Sequence, residues 1–360
     1  MAIDAKIRSV IDLNGYIKID EMMREVLSIN PSSYYRATAH IGAKGDFITA
    51  PEISQTFGET IALWAIEQWQ RLGRPSEFVL AELGPGQGTL MNDLLRASRV
   101  VKGFFEAARI YLLEINNNFI NKQRSKLKIH EKEITWINKI EDIPALPTII
   151  IANEFFDALP IKQFIKLKKK WYESVLITDP LDGRIKYSTI EIHNTLAQQF
   201  EHEYINANDG AIIEESIESL DIVRLISDHI HKHSGSALII DYGYDIYPKE
   251  RSRNQYNATL QAVKDHKYWP IIDSLGEADL TAHVDFNALR KASVERKIKD
   301  FKNSTQREFL LKYGIEIRLS ELQKLVNPEE GAILYRQVER LIAPHLMGEL
   351  FKVLEIYKVS

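Results

Sequence analysis

The chain of 360 residues contains no cysteine, which excludes disulfides, thiolate nucleophiles and cysteine-ligated zinc together. Long apolar runs are missing too: nowhere do about 18 apolar residues follow one another, so the sequence predicts a soluble protein without a membrane-spanning helix. Basic charge is not in excess, since 46 Lys and Arg face 50 Asp and Glu for a formal net charge of -4. That balance gives nucleic acid no general electrostatic grip. Internal repeats and low-complexity tracts are also absent, which sets aside solenoids and disordered arrays. The opening stretch "MAIDAKIRSVIDLNGYIKIDEMM" lacks the continuous apolar region of a signal peptide and the Arg/Ser-rich character of a transit peptide. Its Ile3, Ile7, Val10 and Ile11 are spaced as one helix face, so a folded helix is expected, in a bacterial cytoplasm rather than a mitochondrial matrix.

What is present is an ordinary globular composition, 45% hydrophobic and 27% charged, enough for a sizeable core. Four apolar runs have strand length: "EFVLAEL" (77–83), "RIYLLEI" (109–115), "TIIIANE" (148–154) and "ALIIDYG" (237–243). Runs apolar on both faces suit buried parallel strands. Helical patterns lie between them, at Leu90, Leu94 and Leu95, at Phe119 to Leu127, and at Leu220 to Ile230. The alternation predicts a doubly wound, mostly parallel α/β sheet. Glu82, Glu114, Glu154 and Asp241 sit at or near the ends of the four runs, the edge where such sheets bind ligands.

Two segments break the rhythm. Residues 161–230 begin with "QFIKLKKKWYESVLIT" and "DPLDGRIKYSTIEI", read as one β-hairpin turning at Asp182-Gly183. The polar stretch of about 245–310 reads as a second insertion. The expected organisation is an N-terminal helical segment and lid over 1–60, a core over 61–160 and 231–360, and an inserted subdomain over 161–230. The final "GELFKVLEIYK" alternates like an antiparallel edge strand. The run "HIHKH" (229–233) reads as a solvated helix end and not a metal site, and "KLKKKW" (166–171) as a solvated strand end.

The chemistry starts at Gly84-Pro85-Gly86-Gln87-Gly88. A dinucleotide fingerprint needs a third glycine at position 89, which is Thr, and a P-loop needs Lys followed by Ser or Thr; neither fits. A carboxylate just before the turn, Glu82, would repel a pyrophosphate but suits a ligand bearing an ammonium and a sulfonium, as S-adenosylmethionine does. Glycines let the backbone approach such a ligand closely. Glu114 offers two acceptor oxygens to a pair of ribose hydroxyls; its distance along the chain from the loop calls for a long first helix, to about Phe105. The alternative is a plain strand-to-helix turn.

"NEFFDALP" (153–160) places Glu154 and Asp157 around Phe155 and Phe156. Two acids and two aromatic rings fit a guanidinium, which is planar, permanently charged, pairs in a fork with carboxylates and stacks on rings. Otherwise the rings are core and Asp157 caps a helix.

With "GDFITAPEISQTFGE" (45–59), "ELGPGQGTLMNDLLR" (82–96), "ANEFFDALP" (152–160), "IDYGY" (240–244), "LQAV" (260–263), "ADLTAHVDF" (278–286) and "MGELFKVL" (347–354) in order, the chain resembles the MidA family of S-adenosylmethionine-dependent methyltransferases. The resemblance spans nearly the whole chain. It implies a class I, Rossmann-like methyltransferase fold with inserted helical and hairpin elements. It also implies methylation of an arginine in the 49 kDa-type subunit of NADH dehydrogenase during complex I assembly. By position, Glu82, Gly84, Pro85, Gly86, Gly88, Glu114 and Asn153 would hold the cofactor, and Glu154 with Asp157 would face the acceptor. The family pattern has Arg where this chain has Gln87, Gly-Asp where it has Asn257-Ala258, and Gln-Gly where it has Gln306-Arg307. In "GDFITAPEIS", Gly45-Asp46 reads as a turn and Pro51-Glu52 as a helix start, with Thr49 and Ser54 offering hydroxyls as part of a lid. Asp279 and His283 are further acceptor-side candidates. The alternatives are a non-catalytic assembly chaperone on the same fold, or a methyltransferase with another acceptor.

Overall fold

The apolar runs at 77–83, 148–154 and 237–243 form strands buried on both faces, as a sheet covered on two sides requires. The run at 109–115 instead forms a strand that buries alternate residues. In the computed structural model, which describes residues 3–29, 48–264, 267–273 and 275–358, the chain divides into two compact units. One takes the described residues from 48 to Phe156, with Asp221–Tyr244 and from Ala288 onward. Its strands are β1 (Phe78–Leu83), β2 (Ala108–Leu113), β3 (Ile134–Ile137), β4 (Thr148–Asn153), β5 (Gly235–Tyr244), β6 (Asp300–Thr305) and β7 (Phe351–Lys358). Every residue of β1 and β4 is buried.

These strands lie in the order β3-β2-β1-β4-β5-β7-β6. The first five are mutually parallel, and β7 runs antiparallel between β5 and β6. The sheet is therefore doubly wound and mostly parallel, and its order reverses between β1 and β4, where such sheets open a crevice at the carboxyl ends. The helices named below are α1 (Ala50–Ile53), α2 (Gln55–Arg71), α3 (Thr89–Ser98), α4 (Asn117–Leu127) and α5 (Ile315–Gln323). Leu90, Leu94 and Leu95 of α3 join Phe57, Ile61 and Trp64 of α2 in one core with β1, β2 and β4.

Several expectations are corrected here. Helix α3 ends at Ser98 rather than near Phe105; the chain turns at Gly103 (φ +93°) and enters the short helix Phe104–Ala107 before β2. Gly103 suits this turn because its left-handed backbone is costly for a residue with a side chain. Strand β7 is not an edge strand, because β6 covers it. The sequence of β6, "DFKNST", was hidden in the polar stretch of 245–310 because an edge strand buries little: its first three residues are exposed. His229 is not part of a solvated run, since its Nε2 pairs with Thr148 Oγ1 at 2.9 Å and burial, then His233, pushes its pKa down to about 4.

The other unit takes the described residues up to Ile29, with Asp157–Leu220 and Asp245–Asn287. Its helix Ile3–Asn14 buries Ile3, Ile7 and Ile11, which pack with Met22, Met23, Leu176 and Leu280. The hairpin around Gly183 (φ +72°) forms, joining Lys170–Thr178 to Ile185–Glu191. The segment before it is a second hairpin and not one long strand. Lys168 and Lys169, both with positive φ, turn Lys162–Leu167 back onto Lys170–Thr178. Lysines are rare in that left-handed turn, so the sequence carried no signal for it. Phe164, Trp171, Phe200 and Tyr204 form this unit's aromatic core.

A buried carboxylate, bridged by two half-exposed arginines, ties three helices of the first unit together. Glu59 on α2 accepts from Arg96 on α3 at 2.7 Å and from Arg318 on α5 at 2.6 Å. Burial alone would raise the Glu59 pKa, but the hydrogen bonds from Arg318 and Arg96 more than reverse this and hold it below the ordinary value. A depressed carboxyl pKa stabilises the fold above the unfolded carboxylate range, and the contribution is lost as pH falls through the folded value. We expect Glu59→Gln to cost about 2 kcal/mol at neutral pH, with the gap to wild type closing below about pH 4. Urea unfolding at several pH values checks this; a gap that is constant with pH would show that charge is not its source.

Candidate active site

Strand β1 runs straight into the glycine loop. The Gly84 N–H donates to Leu113 O at 3.0 Å, tying the loop to the end of β2, and the Gly88 N–H donates to Pro85 O at 2.7 Å. All three glycines have positive φ, +61°, +51° and +77°, a region costly for residues with a side chain. Their surroundings differ. A Cβ on Gly84 would stand 2.8 Å from the Phe155 ring, one on Gly88 would stand 3.3 Å from Gln123 Cγ, and one on Gly86 would meet nothing within 4 Å among the described residues. Gly84 and Gly88 admit protein, whereas Gly86 leaves a flank open.

Glu82 is buried on β1 and accepts a main-chain hydrogen bond from Met91 in the first turn of α3. Its Oε2 has no partner among the described residues, and burial pushes its pKa up to about 8. Glu114, one residue past β2, accepts the Asn116 N–H at 2.8 Å and the Gln123 amide at 3.3 Å; burial outweighs these bonds and raises its pKa. Asn153 closes β4, with its Nδ2 donating to Glu154 Oε1 at 3.2 Å and its buried Oδ1 unmatched among the described residues.

Glu154 follows with φ +49°, a left-handed backbone that is uncommon for a residue with a side chain. The surrounding structure holds it there. Its N–H donates to Ile240 O at 2.9 Å, and the next two N–H groups, of Phe155 and Phe156, donate to Asp241 Oδ2 at 3.2 and 2.9 Å. Asp241 is fully buried on β5. It therefore shapes the bend after β4 rather than lining an open ligand edge, which corrects the grouping of the four acids. The Glu154 carboxylate accepts the Ala50 N–H at 2.8 Å, holding the start of α1. Glu52 of α1 in turn accepts from Thr89 Oγ1, which also takes a hydrogen bond from Lys126 of α4.

The remaining expected residues fall elsewhere. Thr49 precedes α1 at the N-cap without a side-chain capping bond. Ser54 is buried and caps α2, accepting from the Thr56 N–H at 3.4 Å. The Gly45-Asp46 turn lies outside the described residues. Asp157, Asp279 and His283 belong to the other unit, where Asp157 O accepts the Ala282 N–H at 3.0 Å and the His283 N–H donates to Thr259 Oγ1 at 2.9 Å. No helix follows Asp157 directly, so it is not a helix cap. Sequence reasoning missed Gln123, which carries no signal beyond its place on a helix, and Lys126. The role of Asp241 was legible only as an acid at a strand end.

The residues fit a small cationic ligand. Two buried acceptor oxygens lack partners among the described residues, Glu82 Oε2 and Asn153 Oδ1, and they come from the two strands that flank the order reversal. The loop with Gly86 follows the first of these strands directly.

Comparison with known proteins bears on the family and its cofactor. A family model for S-adenosyl-L-methionine-dependent methyltransferases, methyltransferase family 28, matches residues 60–303. The chain is similar to the mitochondrial protein arginine methyltransferase NDUFAF7 of Danio rerio, at 32% identity over 98% of this chain and 86% of that one. The Homo sapiens protein of that name is 31% identical, over 94% and 79%. Among solved structures, a Burkholderia thailandensis protein bound to S-adenosyl-homocysteine shares the fold with a TM-score of 0.86, at 24% identity over 99% of this chain and 92% of that one.

We expect Gly86→Val to abolish binding of S-adenosylhomocysteine while lowering stability by only about 2 kcal/mol, the cost of an L-residue in left-handed backbone. Calorimetric titration beside a thermal melt measures both. Unchanged binding would remove this loop from the ligand site.

Proposed function

The chain belongs to the S-adenosyl-L-methionine-dependent methyltransferase family, an enzyme using that cofactor, and from this premise we propose that it methylates a protein arginine. The observation that carries the proposal is Glu154. It is a carboxylate held at a strand end on strained backbone, with Phe155 beside it packed against the first glycine of the loop. Strain of this kind persists where function requires the placement. The relatives named protein arginine methyltransferase, 31% and 32% identical to this chain, support the same acceptor. We further propose that the acceptor is an arginine of the 49 kDa-type subunit of NADH dehydrogenase, a reading that rests on the resemblance of the motifs.

Glu82, Gly86 and Asn153 would hold the methionine part of the cofactor, and Glu114 would accept from its ribose hydroxyls. Bound there, S-adenosylmethionine supplies an electrophilic methyl group carried on a sulfonium. Glu154 would attract the guanidinium and draw its positive charge toward one nitrogen, which leaves another better able to take the methyl group. S-adenosylhomocysteine would leave, and the one N–H proton lost from the guanidinium would pass to Glu154 or to solvent. Proximity and charge placement then do most of the catalytic work. Helix α1, anchored by Ala50 to Glu154 and by Glu52 to Thr89, serves as the lid.

Two measurements test this. Without ligand, Glu82 keeps a proton that the unfolded chain has lost, so its contribution to stability falls as pH rises from about 4 towards 8. A cation brought against it pulls the pKa back down. We expect binding of S-adenosylhomocysteine at pH 7 to release about one proton, read by calorimetry in buffers of different ionisation enthalpy. No release would leave Glu82 as a cap of α3 only. The second measurement is transfer of labelled methyl to recombinant 49 kDa-type subunit, with amino-acid analysis of the product. We expect methylarginine from the wild type, and at least a hundredfold slower transfer, an order-of-magnitude figure, from Glu154→Gln with cofactor binding intact. Label on another residue type would overturn the arginine assignment.

A further inference from the structure

Gln123 is fully buried on α4, yet its amide reaches both sides of the candidate cofactor site. Its Nε2 donates to Gly86 O at 2.7 Å, in the middle of the glycine loop, and to Glu114 Oε2 at 3.3 Å. Its Oε1 accepts from Trp136 Nε1 on β3 at 2.7 Å. An amide nitrogen carries two hydrogens, one for each of the two acceptors. An indole nitrogen only donates, so the oxygen end of the amide must face Trp136 and the nitrogen end must face the loop. The chemistry of the partners thus leaves one orientation.

We propose that Gln123 is a positioning residue that fixes the glycine loop and the Glu114 carboxylate relative to each other, with Trp136 setting its orientation. The proposal rests on the assignment of Glu114 to the ribose. Gln123 holds the carbonyl of Gly86, the glycine whose flank is open, and one oxygen of Glu114; the other oxygen is held by the Asn116 N–H at 2.8 Å. The carboxylate therefore has little freedom to rotate. The glycine at 88 belongs to the same device, because a Cβ there would press on Gln123 Cγ at 3.3 Å and crowd its side chain. Trp136 is itself covered by the Arg124 guanidinium, 4.8 Å from the ring and one residue along α4 from Gln123.

The test is a cycle between protein and ligand. S-adenosylhomocysteine and its 2′-deoxy analogue are titrated into wild type, Gln123→Glu and Trp136→Phe, each first shown folded by its thermal melt. In wild type the missing hydroxyl should weaken binding about tenfold, the worth of a hydrogen bond to a charged group. Gln123→Glu keeps the size and the acceptor for Trp136 but opposes a carboxylate to Gly86 O and to Glu114. We expect it to weaken S-adenosylhomocysteine by at least about tenfold and to erase most of the discrimination against the analogue. Trp136→Phe keeps Gln123 and releases its orientation, so it should move both quantities in the same direction by less. If Gln123→Glu fails to fold, Trp136→Phe decides by itself. A wild type indifferent to the hydroxyl overturns the ribose assignment and this proposal together. A wild type that discriminates, beside folded variants that discriminate equally, overturns the role of Gln123 alone.

Discussion

The candidate site depends on one buried carboxylate. Asp241 accepts the N–H groups of Phe155, Phe156 and Tyr242, and so holds the bend that follows β4. With the bend fixed, Glu154 stays in a backbone conformation it would otherwise leave. The Phe155 ring then lies where only a glycine at position 84 can face it, and Ala50 can reach the Glu154 carboxylate. Removing the Asp241 carboxylate would strip the buried Phe156 N–H and the part-buried Phe155 N–H of the acceptor they share, a cost larger than the net worth of the bonds themselves. An acid that reads in the sequence only as one of four near strand ends is thus the one that builds the site.

Topology brings the pieces together. The reversal of strand order between β1 and β4 splays the connections after them to opposite faces of the sheet. The glycine loop leaves one strand and the Glu154 bend leaves the other, while β2 delivers Glu114 beside them. Residues more than seventy positions apart therefore converge without any local motif. Gln123 and Trp136, which lie between β2 and β4 in the chain, add the bracing from the far side of the loop.

Much of this was legible beforehand. Four strands of the sheet, the helices between them, the loop and its flanking acids followed from apolar runs, glycine spacing and carboxylates at run ends, although β2 buries alternate residues only. What escaped had weak local signatures. Strand β6 is too polar to announce itself, because an edge buries one side at most. The Lys168-Lys169 turn uses residues that disfavour its backbone. Helix α3 stops at Ser98, and the chain then needs the positive-φ turn at Gly103 to enter a separate short helix. Gln123 looks like any helix glutamine until its partners are seen, and the same is true of Asp241. Thr49, Ser54, Asp279 and His283 show the opposite limit: polar residues in distinctive motifs, of which Ser54 caps a helix and Asp279 lies buried in a short strand.

The central place of β7 bears on how the chain reaches this fold. It is the last strand along the described chain, yet it lies between β5 and β6, and neither neighbour can complete its pairing until it arrives. A nascent chain can assemble the five parallel strands early but must hold one side of β5, and all of β6, unpaired through the synthesis of the intervening helices. Closing that gap joins residues far apart in sequence, which slows folding. During that interval the exposed side of β5 is the surface most open to pairing with another chain.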